Sequence, residues 1–215
     1  MNKEVPASVR ALVKKAVFDA FPGVLRRGPT RSRRVALTFD DGPDHLTERY
    51  LDQLDELGVP ATFFLIGQNA ADHPDLVRAY LRRGHQIAGH GFDHARFTHL
   101  GRRALLEQCA QTDTALGGQI SGRPWVRPPH GAVDATSLLN LVMSGYTVAM
   151  WSIDSHDYET RDPAEVAAHC GHTAAGDVLL FHEGKQWTLD AMPAIVAAIH
   201  AAGLECVTMH DLFAS

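Results

Sequence analysis

From residue 35 onward, short apolar runs alternate with longer stretches whose apolar residues recur at helical spacing. Runs rich in β-branched and aromatic residues and ended by Gly or Pro predict strands at 35–40, 61–66, 86–90, 125–127, 146–151, 178–182 and 205–209. Between them, helices are predicted over 46–58, 74–83, 101–116, 134–143, 163–170 and 187–201, several of them stopping at glycines such as Gly58, Gly84 and Gly117. Alternation of this kind implies parallel strands joined by right-handed crossovers, so about seven strands form either a barrel or an open doubly wound sheet. No G-x-G-x-x-G or G-x-x-x-x-G-K-[ST] string follows a strand, which removes the main support for a nucleotide-binding sheet.

Ahead of this pattern, Val9, Leu12, Val13, Val17 and Phe21 recur at helical spacing over 7–21, and Arg26, Arg27, Arg31, Arg33 and Arg34 follow. The chain is therefore divided into an amphipathic helix with a basic linker over 1–33 and an α/β domain over 34–215. Such a helix packs on the outside of the domain or, with its basic neighbours, lies on an anionic membrane through residues 7–34. No secretory apolar core and no spanning stretch is seen, so the expectation is a cytoplasmic, at most membrane-peripheral, protein.

Composition narrows the function. With 215 residues, 45% of them hydrophobic, the chain can bury one sizeable core. A net charge of −5 argues against a nucleic-acid partner, whose binder would carry a basic footprint. Nothing marks an obligate protein partner. Cys109, Cys170 and Cys206 are odd in number and far apart, so they are read as buried thiols. Thirteen histidines are many, and their positions matter more than their count. His85, just before a strand, is read as a surface residue.

Polar residues collect where strands end: Asp40 and Asp41, His90 and His94, Arg127, Asp154 and Asp157, and His182. In a β/α barrel those ends converge on one face, where active sites form. His90 and His94 are spaced to reach one ion, and a carboxylate from Asp40 or Asp41 completes a two-His-one-carboxylate set with positions left open. The other aspartate then stays free to act as a base.

Thr38-Phe39-Asp40-Asp41-Gly42-Pro43, His90-x-x-x-His94, Arg127-Pro128-Pro129-His130-Gly131, Asp154-x-x-Asp157 and Leu180-Phe181-His182 occur in this order. With them the chain resembles the polysaccharide deacetylases with a NodB-homology domain, carbohydrate esterase family four, from about residue 35 to the C-terminus. The resemblance implies a distorted α/β barrel, a divalent metal, usually Zn2+ with Co2+ or Ni2+ as alternatives, and hydrolysis of the acetamide of an N-acetylated amino sugar. It makes Asp40 the general base, Asp41, His90 and His94 the metal ligands and His182 the general acid. Arg127 would keep Asp40 ionised and Asp157 would orient His182. The His130 backbone N–H would meet the oxyanion, and Leu180 would line the acetyl pocket.

Three positions depart from the family pattern. Gly91 stands where Ser or Thr supports the ligand loop, which implies a less rigid loop. Tyr158 replaces a common Trp and keeps an aromatic wall with an added hydroxyl. His130 stands where Tyr is frequent. Trp125, beside the Arg127 motif, is either strand packing or a sugar-stacking wall. The implied substrate is an amino sugar in an oligosaccharide, glycolipid or polysaccharide. Deformylation or other deacylation of a lipid-linked sugar or non-carbohydrate amide is the alternative enzyme. A catalytically silent glycan-binding barrel is the alternative of another class, and the joint presence of a base and an acid argues against it.

Overall fold

The computed structural model describes residues 23–117 and 123–214. Within them one sheet holds β1 (Val24–Leu25), β2 (Arg34–Asp40), β3 (Thr62–Leu65), β4 (Gln86–Gly89), β5 (Trp125–Val126), β6 (Thr147–Ala149), β7 (Ile153–Asp154), β8 (Val178–His182) and β9 (Glu205–Val207). Neighbours run β1-β6-β5-β4-β3-β2-β8-β7, with β9 paired to β2, and every pairing is parallel. Ala36 pairs with Val178 on one side and Val207 on the other, so β9 takes the first half of that β2 edge and β3 takes the second. Among the described residues β1 and β7 do not pair, and the expected distorted barrel stays open between them.

Eight α-helices accompany the strands among the described residues: α1 (Thr47–Leu57), α2 (Gly67–Asp72), α3 (Pro74–Arg82), α4 (Arg102–Ala115), α5 (Ala135–Met143), α6 (Pro163–His169), α7 (Gln186–Ala201) and α8 (Met209–Phe213). The two-residue strands β1 and β7 and the short helices α2 and α8 were not anticipated, because none is long enough to display a period. The predicted final strand accordingly stops at Val207. Thr208 then caps α8 by accepting the Asp211 N–H.

The two-residue period of β2 decides which side chains reach the site. Val35, Leu37 and Phe39 face the helices, where they join Tyr50, Leu51 and Leu54 of α1. Phe39 stacks between Phe63 and Phe181, with ring centroids 5.1 and 5.4 Å away. Ala36 faces inward with Phe64, Ala88, Val178, Met209 and Leu212, so α8 helps to fill the barrel interior. Thr38 and Asp40 follow Ala36 inward by alternation. Cys206 is buried as expected, and Met209, at the end of the strand predicted over 205–209, is buried in a helix.

Segment 7–21 lies outside the described residues. The basic stretch after it is not a free linker: Val24 and Leu25 pair with Val148 and Ala149, which places residues 23–33 inside the domain. Arg27 pairs with Asp177 at 3.1 Å, Arg33 donates to Ala202 O and Gly203 O, and Arg34 pairs with Glu205 at 3.4 Å. These arginines keep partly exposed side chains while contacting the domain. Among the described residues no helix is long and apolar enough to cross a membrane.

His85 is buried, which corrects its reading as a surface residue. Its Nδ1 accepts the Ala61 N–H at 3.1 Å, and its ring meets Phe63 edge-on. Burial pushes its pKa down to about 4. The unfolded chain, with a His pKa of about 6.5, therefore takes up a proton that the folded chain refuses, and stability falls as pH drops from 7 to 5. This site accounts for about 2 kcal/mol of that fall. His85→Asn, which keeps an acceptor, is expected to remove that share of the loss, read from urea midpoints at pH 7 and 5. An unchanged pH dependence would refute the assignment.

Candidate active site

Asp40 ends β2 and His182 ends β8, and the two are direct partners in the parallel ladder. Parallel register holds such backbones about 4.8 Å apart, so both side chains reach the same mouth of the barrel. They line a cleft of about 440 Å³ together with Asp41, His90, His94, His130, Leu180 and Tyr158.

Asp40 is buried, and its Oδ1 accepts Arg127 Nη1 at 2.7 Å. Arg127 itself is 0% exposed. Its guanidinium also donates to Thr38 Oγ1 at 2.9 Å and Met150 O at 3.2 Å, and it lies 3.9 Å over the Phe64 ring. Burial raises the Asp40 pKa, with Arg127 and His182 pulling against it. The outcome is a carboxylate that binds a proton more readily than an ordinary aspartate, although Arg127 still favours its ionised form.

Asp41 Oδ1 lies 3.3 Å from His94 Nε2 and 3.5 Å from His90 Nε2. The three donor atoms lie within 4.8 Å of one another, which makes Asp41, His90 and His94 a group able to hold a metal ion. Two features fit that use. Asp41 Oδ1 is buried and accepts no hydrogen bond, an uncompensated position that a cation satisfies. His90 Nδ1 bonds to Arg127 O at 2.8 Å, which leaves Nε2 directed at the group. Burial pushes the His90 pKa down to about 3, so its ring is the neutral donor that a metal requires. Asp41, His94 and His130 have φ of 77°, 61° and 58°. Non-glycine residues hold such values only where surrounding contacts enforce them, and here they cluster around the cleft.

The His182 side of the cleft is built by β8, α7 and the segment after β7. Asp157 is buried; its Oδ1 meets His182 Nδ1 at 2.6 Å, and its Oδ2 accepts the His182 backbone N–H and Thr188 Oγ1, each at 2.8 Å. Trp187 Nε1 donates to Asp157 O at 2.7 Å, so Trp187 holds this segment. Burial disfavours the His182 cation, yet the hydrogen bond and charge of Asp157, with Asp40 and Asp41, raise its pKa overall.

The remaining expected residues divide between two places. Leu180 faces the cleft, and His130 stands at its rim with its ring 4.3 Å from that of His94. Tyr158 is half exposed, donates to Asp154 Oδ2 at 3.3 Å and meets His182 edge-on. Trp125 is elsewhere: its side chain packs on the interior cluster near Phe213, at 6.1 Å between ring centroids, and is not part of the cleft. A sugar-stacking wall at Trp125 therefore has no geometric basis. Arg96, Trp151 and Lys185 also line the cleft and were not singled out. Trp151 is the last residue of the strand predicted at 146–151, the same strand-end signal that marked the others. The loop around Gly91 was expected to be loosely held, but Phe92 and Asp93 both donate backbone N–H groups to Gln108 Oε1.

The model of the polysaccharide deacetylase family matches residues 27–149. The chain belongs to that family. A chitooligosaccharide deacetylase of Rhizobium leguminosarum bv. trifolii is 32% identical over 214 residues, covering 90% of this chain and 95% of that one. The peptidoglycan-N-acetylglucosamine deacetylase of Bacillus cereus is 30% identical over 193 residues, covering 86% and 70%. The structure of a family 4 carbohydrate esterase from Streptomyces lividans in complex with acetate aligns with a TM-score of 0.76 at 34% identity, covering 80% of this chain and 91% of that one.

Removing one partner of a buried ion pair strands the other charge, at a cost of about 3–5 kcal/mol. Arg127→Met is expected to lose stability on that scale at pH 7 and less at pH 4.5, where Asp40 can protonate. Urea unfolding at the two pH values measures the difference, and a small, pH-independent loss would show that the pair does not govern Asp40.

Proposed function

We propose that this deacetylase hydrolyses the acetamide of an N-acetylated amino sugar in an oligosaccharide, glycolipid or polysaccharide, using Asp40 as base, His182 as acid and a divalent ion, most simply Zn2+, held by Asp41, His90 and His94. One observation carries the assignment. Two acid/base groups in register on adjoining strands each have a separate buried partner, and both face one set of metal donors. The names of the relatives support an amino-sugar amide as the substrate class.

The ion, when bound, supplies Lewis-acid polarisation of the acyl carbonyl and lowers the pKa of water. Asp40 then accepts the proton of the attacking water. Arg127 occupies Oδ1 of Asp40, which leaves Oδ2 to receive that proton. Its raised pKa suits proton acceptance near neutrality better than an ordinary aspartate would. As the carbonyl oxygen gains charge, the backbone N–H of His130 is available to donate to it. His182 protonates the departing nitrogen, which is a poor leaving group as an amide anion. Asp157 keeps His182 charged and fixes its ring, so Nε2 is left to deliver the proton. Leu180 and Trp151 provide apolar surface for the acyl methyl.

Asp40→Asn is expected to abolish turnover while metal content is retained, whereas Asp41→Ala or His94→Ala loses both. Mass spectrometry of N-acetylglucosamine oligomers, together with metal analysis of each variant, checks this. Near-full activity of Asp40→Asn would overturn the base assignment, and activity after complete metal removal would overturn the mechanism.

Because His182 must be protonated to act, kcat falls as pH rises through its raised pKa. Asp157→Asn removes the charge and weakens the hydrogen bond that raise it, so the alkaline limb of the kcat profile moves to lower pH. An unmoved limb would mean that another group sets it.

A further inference from the structure

The loop Gly91-Phe92-Asp93 joins the two histidine ligands and is bonded on both sides. Its carbonyls accept from the start of α2: Gly67 N–H to Gly91 O at 2.8 Å, and Gln68 N–H to Phe92 O at 2.9 Å. Its amides converge on one atom, Gln108 Oε1 of α4, with Phe92 N at 2.7 Å and Asp93 N at 3.1 Å. Close packing leaves this arrangement little slack. A Cβ on Gly67 would come within 2.7 Å of both Phe92 Cδ2 and Thr112 Oγ1. A Cβ on Gly91, at φ 75°, would stand 3.1 Å from Pro129 Cγ and 3.4 Å from Phe97 Cε1.

The two ligands are positioned in different ways. His90 has its ring aligned by the carbonyl of Arg127. His94 has φ of 61° and is placed by the backbone of its loop. Gly91 carries no side chain that could brace that loop, and Asp93 turns its own Oδ1 to the Ala95 N–H. The oxygen that gathers the loop's two amides comes from a helix that contributes nothing else to the cleft.

We propose that Gln108 is the positioning residue of the metal centre: through one side-chain oxygen it holds the loop in the strained form that brings His94 to His90 and Asp41. This rests on the assignment of Asp41, His90 and His94 as metal ligands. Without that acceptor, two amides lose their partner and the loop relaxes toward ordinary backbone angles, carrying His94 away. The required property is an acceptor oxygen at the end of a side chain of this length. Glutamate supplies it and leucine does not.

The zinc-loaded full chain is titrated with a chromophoric chelator to obtain its zinc dissociation constant. Gln108→Leu is expected to weaken zinc binding by about 10- to 100-fold, the range for loss of a group that orients a ligand. Gln108→Glu is expected to stay near wild type. Equal zinc affinity in wild type and Gln108→Leu, or an equal loss in the Leu and Glu variants, would overturn the proposal while leaving the metal assignment intact. A wild-type chain that binds no zinc would overturn both. Should Gln108→Leu fail to fold, hydrogen exchange of the wild-type chain decides: the Phe92 and Asp93 amides are expected to be protected, and their rapid exchange would refute the brace.

Discussion

The buried guanidinium of Arg127 is the contact on which the site depends. Its side chain holds Asp40 and Thr38, donates to the carbonyl of Met150 and lies over Phe64. Its backbone carbonyl orients His90, and its N–H donates to Gly89 O. One residue therefore joins Asp40, His90 and the barrel interior. Burying an ion pair is a weak source of stability, because desolvation offsets most of the attraction. What the pair contributes is placement: Asp40 cannot turn away without abandoning a charge that has no solvent.

The same economy of placement recurs around His182. Asp157 takes hydrogen bonds from the His182 backbone and Thr188 in addition to holding the His182 ring, and Trp187 anchors its carbonyl. The two halves are tuned oppositely by their partners. A cation beside Asp40 favours the carboxylate, and an anion beside His182 favours the imidazolium. Desolvation works against charge at both residues, so each needs its own counter-charge to stay useful near neutrality.

Strand-end convergence brings these halves together, and local backbone strain completes the aim. Asp41, His94 and His130 adopt left-handed backbone angles in three different loops at one mouth of the barrel. None of the three would hold that conformation in isolation. The Asn69 side chain on Asp41 O and the Gln108 side chain on the His90–His94 loop show that the enforcing groups come from helices outside the motifs. Beside Gly91, which has no side chain, the acceptor of the loop amides lies 17 positions downstream, at Gln108.

Much of this was legible in the sequence. Alternating apolar runs and helical periods marked the longer strands and helices, because burial on one face imposes a period on any element of sufficient length. The acids, histidines and arginine at strand ends marked the site, because parallel strands deliver their C-terminal ends to one face. The two-residue strands β1 and β7, the short helices α2 and α8 and the buried state of His85 were not legible, since each depends on neighbours remote in sequence. For the same reason Trp125 and Trp151, both within predicted strands, took opposite places: one packs near Phe213 and the other lines the cleft. The sequence by itself determined which polar residues stand at the strand ends, since residue type and local period are local properties. Only the tertiary structure decided which groups hold them in place, because a hydrogen bond to Gln108 or from Thr188 leaves no pattern along the chain until the fold brings it within 3 Å.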